Sequence, residues 1–394
     1  NTNLKFLIMK KSLLKFLLAI LLFVGWQSSF GQVLLNENFN YGATAGDLTS
    51  LTTNWTGFSG TTKVAYAATS LSMPTYASTD IGGSATYTAS NSEDINTSFT
   101  AQSTGTFYTS FLLKASNTST SGGYFIILGN GTSFGPRLFC KQGPSGSGNI
   151  LFGIGMSSTA VYGTTEFDDT QTYLVVIKYD FVDGATNDVA SVYILNAATN
   201  SVPATPEATS TGATDQSQLN TFIIRQASGI GSGTIDGIRI AQTWTEAAGI
   251  DATAPAATFN PTNTATDISL TSNVVIAFDD YIRNTDNSEI TDLSSLIIFK
   301  ETDGSGADVA HTATINSTKD TITLDPTSDL KSNQVYYVSI GAVEDVNNNA
   351  TTGENITFTT SSIKPEPTNH VTGFAAAPLS FMQVDLSWTD AVAG

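Results

Sequence analysis

From Val33 onward, short runs of apolar or alternating residues recur between clusters of Gly, Ser, Asn and Asp. The runs fall at 33–39, 107–114, 124–128, 137–141, 150–156, 173–181, 190–195, 221–225 and 235–244. The connections between them hold turn chemistry, such as Gly122-Gly123, Asn130-Gly131 and Asp183-Gly184. No helical period of useful length interrupts them. Many short strands without intervening helices predict an antiparallel β-sandwich or jelly roll over 32–250. FIILG (125–129) and YLVVIKY (173–179) are apolar at consecutive positions. Such strands are expected at the centre of a sheet, covered by the second sheet on one face and partly by loops on the other.

A linker with Pro255 and a further proline at Pro261 follow. Strand-like runs then resume at 268–270, 274–279, 296–300, 313–315, 321–324, 334–343 and 355–360. About seven strands in about 107 residues is the size of an immunoglobulin-like sandwich, here expected over 251–361. A third linker carries Pro365 and Pro367, and the runs 371–374 and 382–388 come after it. These read as the opening strands of another sandwich, over 367–394, that the sequence cuts short. The fold class expected is therefore all-β throughout.

The first 31 residues have a different pattern. Lys10, Lys11 and Lys15 precede an apolar run at 16–26, and Ser29 and Gly31 supply small residues before Gln32. This is the layout of a secretory signal peptide, with a start at Met9 and cleavage between Gly31 and Gln32. The apolar run is too short to span a bilayer, and no later stretch approaches that length. The expected location is secreted or cell-surface.

Composition narrows the function classes. The 394 residues include 34 Asp and Glu against 16 Lys and Arg, a formal charge of −18. Residues 32–250 hold seven basic and 15 acidic side chains (−8), and 251–361 hold four and 16 (−12). So acidic a chain is not expected to bind nucleic acid. With two His and one Cys, no zinc site can be assembled from those residue types, and no disulfide can form within the chain. A Ser-His-Asp triad would have to use His311 or His370. The 22 Phe, 13 Tyr and 4 Trp supply real cores, which argues against disorder.

Three resemblances follow from particular segments. LLNENFNYGATAGDLTS (34–50), NWTGFSG (54–60) and IDGIRIAQTWTEA (235–247) resemble the two ends of concanavalin-A-like, laminin-G-like jelly rolls of modular secreted bacterial proteins. PTNTATDISLTSNVVIAFDDYIRN (261–284) and the segment from Leu324 to Thr360 resemble the SbsA-type bacterial Ig-like domain. That likeness is carried by Pro261, Phe278-Asp279, Leu330, Tyr336-Tyr337-Val338, Glu344-Asp345, Asn348 and the closing 357–360. The tail from Pro367 resembles the start of a fibronectin type III domain, with Trp388 where that family keeps its core Trp. These resemblances imply binding modules and spacers more often than catalysts.

Several constellations were candidates for chemistry. Laminarinase-type glycoside hydrolases share the jelly roll and carry a Glu-x-Asp-x-x-Glu strand. Glu166, Asp168 and Asp169 approach that pattern, but Gln171 stands where the general acid would be and cannot serve as one. Asp279, Asp280, Glu344 and Asp345 offer hard oxygen ligands suited to Ca²⁺, and so does Asp236 by resemblance to calcium-binding jelly rolls. Solvated turns, or for Asp236 a salt bridge or loop hydrogen bond with Arg239 nearby, compete with that reading. Cys140 reads as a small buried hydrophobe, and His311 and His370 as exposed. Trp55, Tyr66, Tyr76, Tyr87 and Tyr162 are either a platform for stacking sugar rings or core. The expectation is a non-catalytic exported protein with no catalytic residues and no required cofactor. Its jelly roll would bind a polysaccharide, cell-surface glycan or protein. The alternative is the accessory region of an extracellular enzyme whose catalytic domain lies beyond Gly394.

Overall fold

The computed structural model describes residues 32–389 apart from 90–91, 117, 213–214, 363–371 and 381–382. The signal-peptide pattern, Pro365, Pro367 and His370 lie outside the described residues. The chain forms two compact units. The first runs up to Ala254 and takes in Glu344–Asn349; the second comprises Pro255–Val343 and Ala350 onward.

In chain order the first unit begins with β1 (Val33–Glu37), β2 (Gly46–Asp47), the one-turn helix α1 (Leu48–Leu51), β3 (Thr56–Ser59), β4 (Ala65–Ala67), β5 (Ser84–Thr88) and β6 (Asp94–Gln102). It continues with β7 (Gly105–Ser116), β8 (Gly123–Asn130), β9 (Ser133–Gly143), β10 (Gly146–Gly155), β11 (Val161–Tyr162), β12 (Phe167–Asp168) and β13 (Tyr173–Phe181). It ends with β14 (Val189–Leu195), β15 (Ala208–Thr211), β16 (Leu219–Arg225), β17 (Ser232–Ala241) and the short helix α2 (Trp244–Ala248). Nine of these strands form one sheet, ordered β15-β14-β13-β7-β17-β5-β4-β2 with β1 also on β17. Eight form the other, ordered β11-β10-β9-β8-β16-β6-β3 with β12 also on β10.

The period of two along each strand decides what lies on which face. Val175, Ile177 and Tyr179 of β13 enter the core between the sheets, with Phe111 and Leu113 of β7 and Phe125, Leu138 and Phe222 of the eight-stranded sheet. The intervening Leu174 and Val176 point the other way. They pack with Tyr76, Tyr193 and Trp244 under the 71–76 loop and α2. The consecutive apolar residues of YLVVIKY are thus covered on both faces, as a central strand requires.

β17 shows how a motif shapes the sheet. Its pairing with β7 breaks between Asp236 and Arg239, and Gly237 has φ +51. A Cβ there would come within 2.4 Å of the Ser78 carbonyl, so only glycine fits. The run at 235–244 was expected to be strand throughout. It ends instead at Ala241, because Thr243 caps α2 by accepting from the Glu246 amide. The strands β2 to β6 were not predicted by the pattern.

The second unit holds β18 (Ala257–Asn260), β19 (Ala265–Ile268), β20 (Val274–Phe278), β21 (Ile297–Glu301), β22 (His311–Ile315), β23 (Thr321–Pro326), β24 (Val335–Ile340) and β25 (Glu354–Thr360). They make two four-stranded sheets, β18-β20-β23-β22 and β19-β25-β24-β21, with β19 parallel to β25. Their inward residues, among them Ile276, Ile322, Leu324, Tyr336, Val338 and Phe358, form a separate core. The expectation of about seven strands missed β18. The same unit also takes in β26 (Thr372–Ser380) and β27 (Gln383–Thr389), which pair antiparallel.

Candidate functional site

The 71–76 loop and α2 cover part of the outer face of the nine-stranded sheet, whereas the outer face of the eight-stranded sheet carries a row of aromatic rings. Tyr124 on β8 lies directly opposite Phe139 on β9, and Gly153 on β10 lies opposite both Phe139 and Tyr162 on β11. Ring contacts link these residues in sequence: Tyr162 to Phe139 at 6.3 Å, Phe139 to Tyr124 at 5.3 Å, Tyr124 to Phe134 at 6.2 Å, and Phe134 to Phe58 at 6.4 Å. Phe139 is buried within the row, and the other four are partly exposed.

The last contact reveals the shape of the face. Phe58 is on β3 and Phe134 on β9, and three strands, β8, β16 and β6, lie between them. Four strand spacings in a flat sheet are about 19 Å. Rings 6.4 Å apart therefore require the sheet to curl toward this face. The row lines a concave surface.

Two glycines make room for it. A Cβ on Gly153 would come within 2.9 Å of the Tyr162 ring, and one on Gly155 within 3.1 Å of Phe139. Without side chains, β10 leaves a bed on which the rings lie.

Cations sit on the rings. The Arg137 guanidinium lies 4.7 Å from the Tyr124 ring centre and 5.5 Å from that of Phe134. Arg225 is 4.2 Å from Tyr124, and its Nη1 donates to the Tyr124 carbonyl at 3.2 Å. Lys141 Nζ is 4.2 Å from the Tyr162 ring. Three of the seven basic residues of 32–250 thus meet on one face of an acidic unit. Each such contact contributes about 0.5–1 kcal/mol when exposed and about 2 when desolvated. Burial pulls Arg137 below the ordinary guanidinium value, with the Arg225 charge a smaller contributor in the same direction. Its Nε is buried and has no hydrogen-bond partner among the described residues. Burial also pushes the Tyr162 hydroxyl up to about 12, so it stays protonated.

Of the five aromatics singled out in the sequence, only Tyr162 belongs to this face. Trp55, Tyr66, Tyr76 and Tyr87 are core, each 2% exposed or less. Trp55 stacks on Phe39 and donates to Glu37, which also accepts from Tyr41 and the Phe39 amide. The NENFNY…NW motif is thereby a clasp that closes the start of the fold. Tyr76 donates to the Gly237 carbonyl.

The remaining candidates occupy structural positions. Asp236 is fully buried and accepts from Ser70 Oγ and the Leu71 and Gly237 amides, each at 2.6 Å. Burial raises its carboxyl to about 7, while these bonds oppose the shift. Three donors turned toward it make a loop clasp, and Arg239 turns elsewhere, donating to the Glu246 carbonyl. Glu166 accepts from the amide and hydroxyl of Ser145, and Asp168 from those of Thr170. These bonds hold both carboxyls below their ordinary values, which suits turn anchors and opposes a general acid. In the second unit Asp279 accepts from the Ala256 amide, and Asp280 from the Tyr281 amide.

Glu344 and Asp345 are buried. Asp345 accepts from the Asn347 amide and from the amide and side chain of Asn349. Asp251 lies within 4.8 Å of it and accepts from Asn347 Nδ2. Burial, and less strongly the Asp345 charge, raise Asp251, while the Asn347 bond opposes them. Cys140 lies in the inter-sheet core, where burial pushes its thiol far up. His311 was expected to be exposed. It is half-buried, its ring 5.5 Å from Phe299 and its Nδ1 2.7 Å from the Val309 carbonyl.

Residues 251–360 match the bacterial Ig-like domain. No curated protein sequence matches the chain. Solved structures resemble it weakly. The T. cruzi calreticulin globular domain is 13% identical, with a TM-score of 0.32, over 54% of this chain and 88% of that one. The fourth domain of an extracellular arabinanase from Geobacillus stearothermophilus, solved with arabinotriose, is 16% identical, with a TM-score of 0.30, over 55% and 96%. A carbohydrate-binding module from the evolved Dit protein of Lactobacillus casei phage J-1 is 10% identical, with a TM-score of 0.28, over 54% and 97%.

A polar cavity of about 430 Å³ lies at the β3–β6 edge of the same unit, lined in part by Asn36, Thr53, Asn54, Thr56, Asn96 and Ser98. It has no aromatic lining. Among the described residues no helix is long and apolar enough to cross a membrane.

Proposed function

We propose that this chain is a non-catalytic, exported glycan-binding protein whose concave aromatic face holds a polysaccharide. The observation that carries the reading is the row Tyr162–Phe139–Tyr124–Phe134–Phe58 within one unit. Pyranose rings present C–H faces that stack on aromatic rings, and a concave row of several rings suits an extended polymer better than a single sugar. The hydrogen-bonded, ionised states of Glu166 and Asp168 and the Gln at 171 support a binding role over hydrolysis. Export rests on the basic, apolar and small-residue pattern of the first 31 residues. The Ig-like unit acts as a spacer in this account.

The test is binding of the full chain to an array of plant and microbial polysaccharides, alongside Tyr162→Ala. Tyr162 lies on a two-residue edge strand, so its loss leaves the core intact. Wild type should bind at least one polymer, and the variant should bind it about tenfold or more weakly, with an unchanged melting temperature. Retained affinity in the variant, or release of reducing sugar by wild type, would count against the proposal.

A further inference from the structure

We infer that the polymer held by this face is acidic, and that Arg137 with Arg225 recognises the carboxylates of its uronic acid residues. The inference rests on the glycan-binding reading and adds the charge class of the ligand. Stacking alone would need only the rings, yet this face concentrates cations although residues 32–250 hold 15 acidic and only seven basic side chains.

The two guanidinium groups lie within 5 Å of the same Tyr124 ring centre, and after burial the Arg225 charge also disfavours that of Arg137. Arg225 lies opposite Asp94 on β6; burial raises that carboxyl, and the Arg225 charge is among the contributions that oppose the shift. Arg137 has no such compensation. Among the described residues it makes no ion pair, and it lies over the rings of Tyr124 and Phe134. A partly buried cation in this state is costly unless an anion joins it. Its planar fork matches a carboxylate with two parallel N–H···O bonds. Lys141, on the same face of β9 by its even spacing from Arg137, adds a third positive charge toward Tyr162. A uronate chain supplies both matching features, an apolar sugar face for the rings and a carboxylate on each residue. The strands fix this arrangement, because Arg137, Phe139 and Lys141 alternate along β9 and share one face.

The experiment is isothermal titration of the full chain with polygalacturonate, with alginate, and with fully methyl-esterified polygalacturonate, at low and high salt. The ester keeps the sugar ring and removes the charge. The expected result is binding to at least one of the two acids and at least tenfold weaker binding to the ester. Affinity for the acid should fall as salt rises. Arg137→Gln should weaken acid binding about tenfold or more, and Arg137→Lys should recover only part of it, since it restores charge without the fork. Melting curves of both variants check that they fold. Equal binding of acid and ester, with Tyr162→Ala weakening both, would overturn the inference and leave the glycan-binding reading standing. No binding to either acid, while a neutral polymer on the array binds, would do the same. No binding to any polymer would overturn both.

Discussion

Asp236 is a carboxyl whose role is set by its surroundings more than by its type. Three donors clasp it, and burial still raises it to about 7 from an ordinary value near 3.9. Because the folded value is raised, its contribution to stability is full below about pH 4 and is lost as pH rises through about 7. Asp236→Asn removes the titration and turns an amide N–H₂ toward existing donors, at a cost of about 1–3 kcal/mol. Wild type should therefore be more stable than the variant at pH 4, with the gap narrowing toward pH 8. Thermal melts of both proteins across that range check it, and a gap that widens with pH would show the ionised form to be the favoured one. Aromatic residues show the same dependence on context. Trp55 and Tyr76 look like sugar platforms in the sequence, but each has its polar atom satisfied inside the fold.

At the scale of elements, strands were legible where their apolar residues were consecutive or strictly alternating, as in β7, β8 and β13. β6 escaped because its inward positions alternate Ile95, Thr97 and Phe99, and a buried threonine weakens the apolar signal. The candidate site escaped for a different reason. Its rings come from β3, β8, β9 and β11, and only sheet curvature brings Phe58 to Phe134. Period-two reading cannot supply that curvature. One part was readable: Arg137, Phe139 and Lys141 alternate along a single strand and so share a face. The glycines of β10 lead to a prediction of their own. Gly153→Ala sets a Cβ within 2.8 Å of the Val161 carbonyl and 2.9 Å of the Tyr162 ring. It should displace β11, cost about 1–3 kcal/mol by overpacking, and weaken polysaccharide binding as much as Tyr162→Ala does. A melting curve and a binding isotherm read both effects; unchanged binding would mean that the Tyr162 ring does not touch ligand.

For the whole molecule, two units with separate cores divide the work in this account. One presents a curved aromatic face with three cations. The other, which holds most of the stretch that matches the bacterial Ig-like domain over 251–360, carries 13 acidic and four basic residues within 255–343 and 350–361. Net charge alone would predict repulsion of any acidic polymer. Local charge at one face must therefore outweigh net charge, and the position of contact on the protein decides between the two. Hydroxyl-radical footprinting of the full chain, with and without the tightest-binding polysaccharide of the array, reads that position side chain by side chain. Polymer should protect Tyr124, Phe134 and Tyr162 from oxidation and leave half-buried aromatics of the second unit, such as Tyr281 and Tyr337, unchanged. Binding without protection of those three rings, or protection confined to the second unit, would contradict the account.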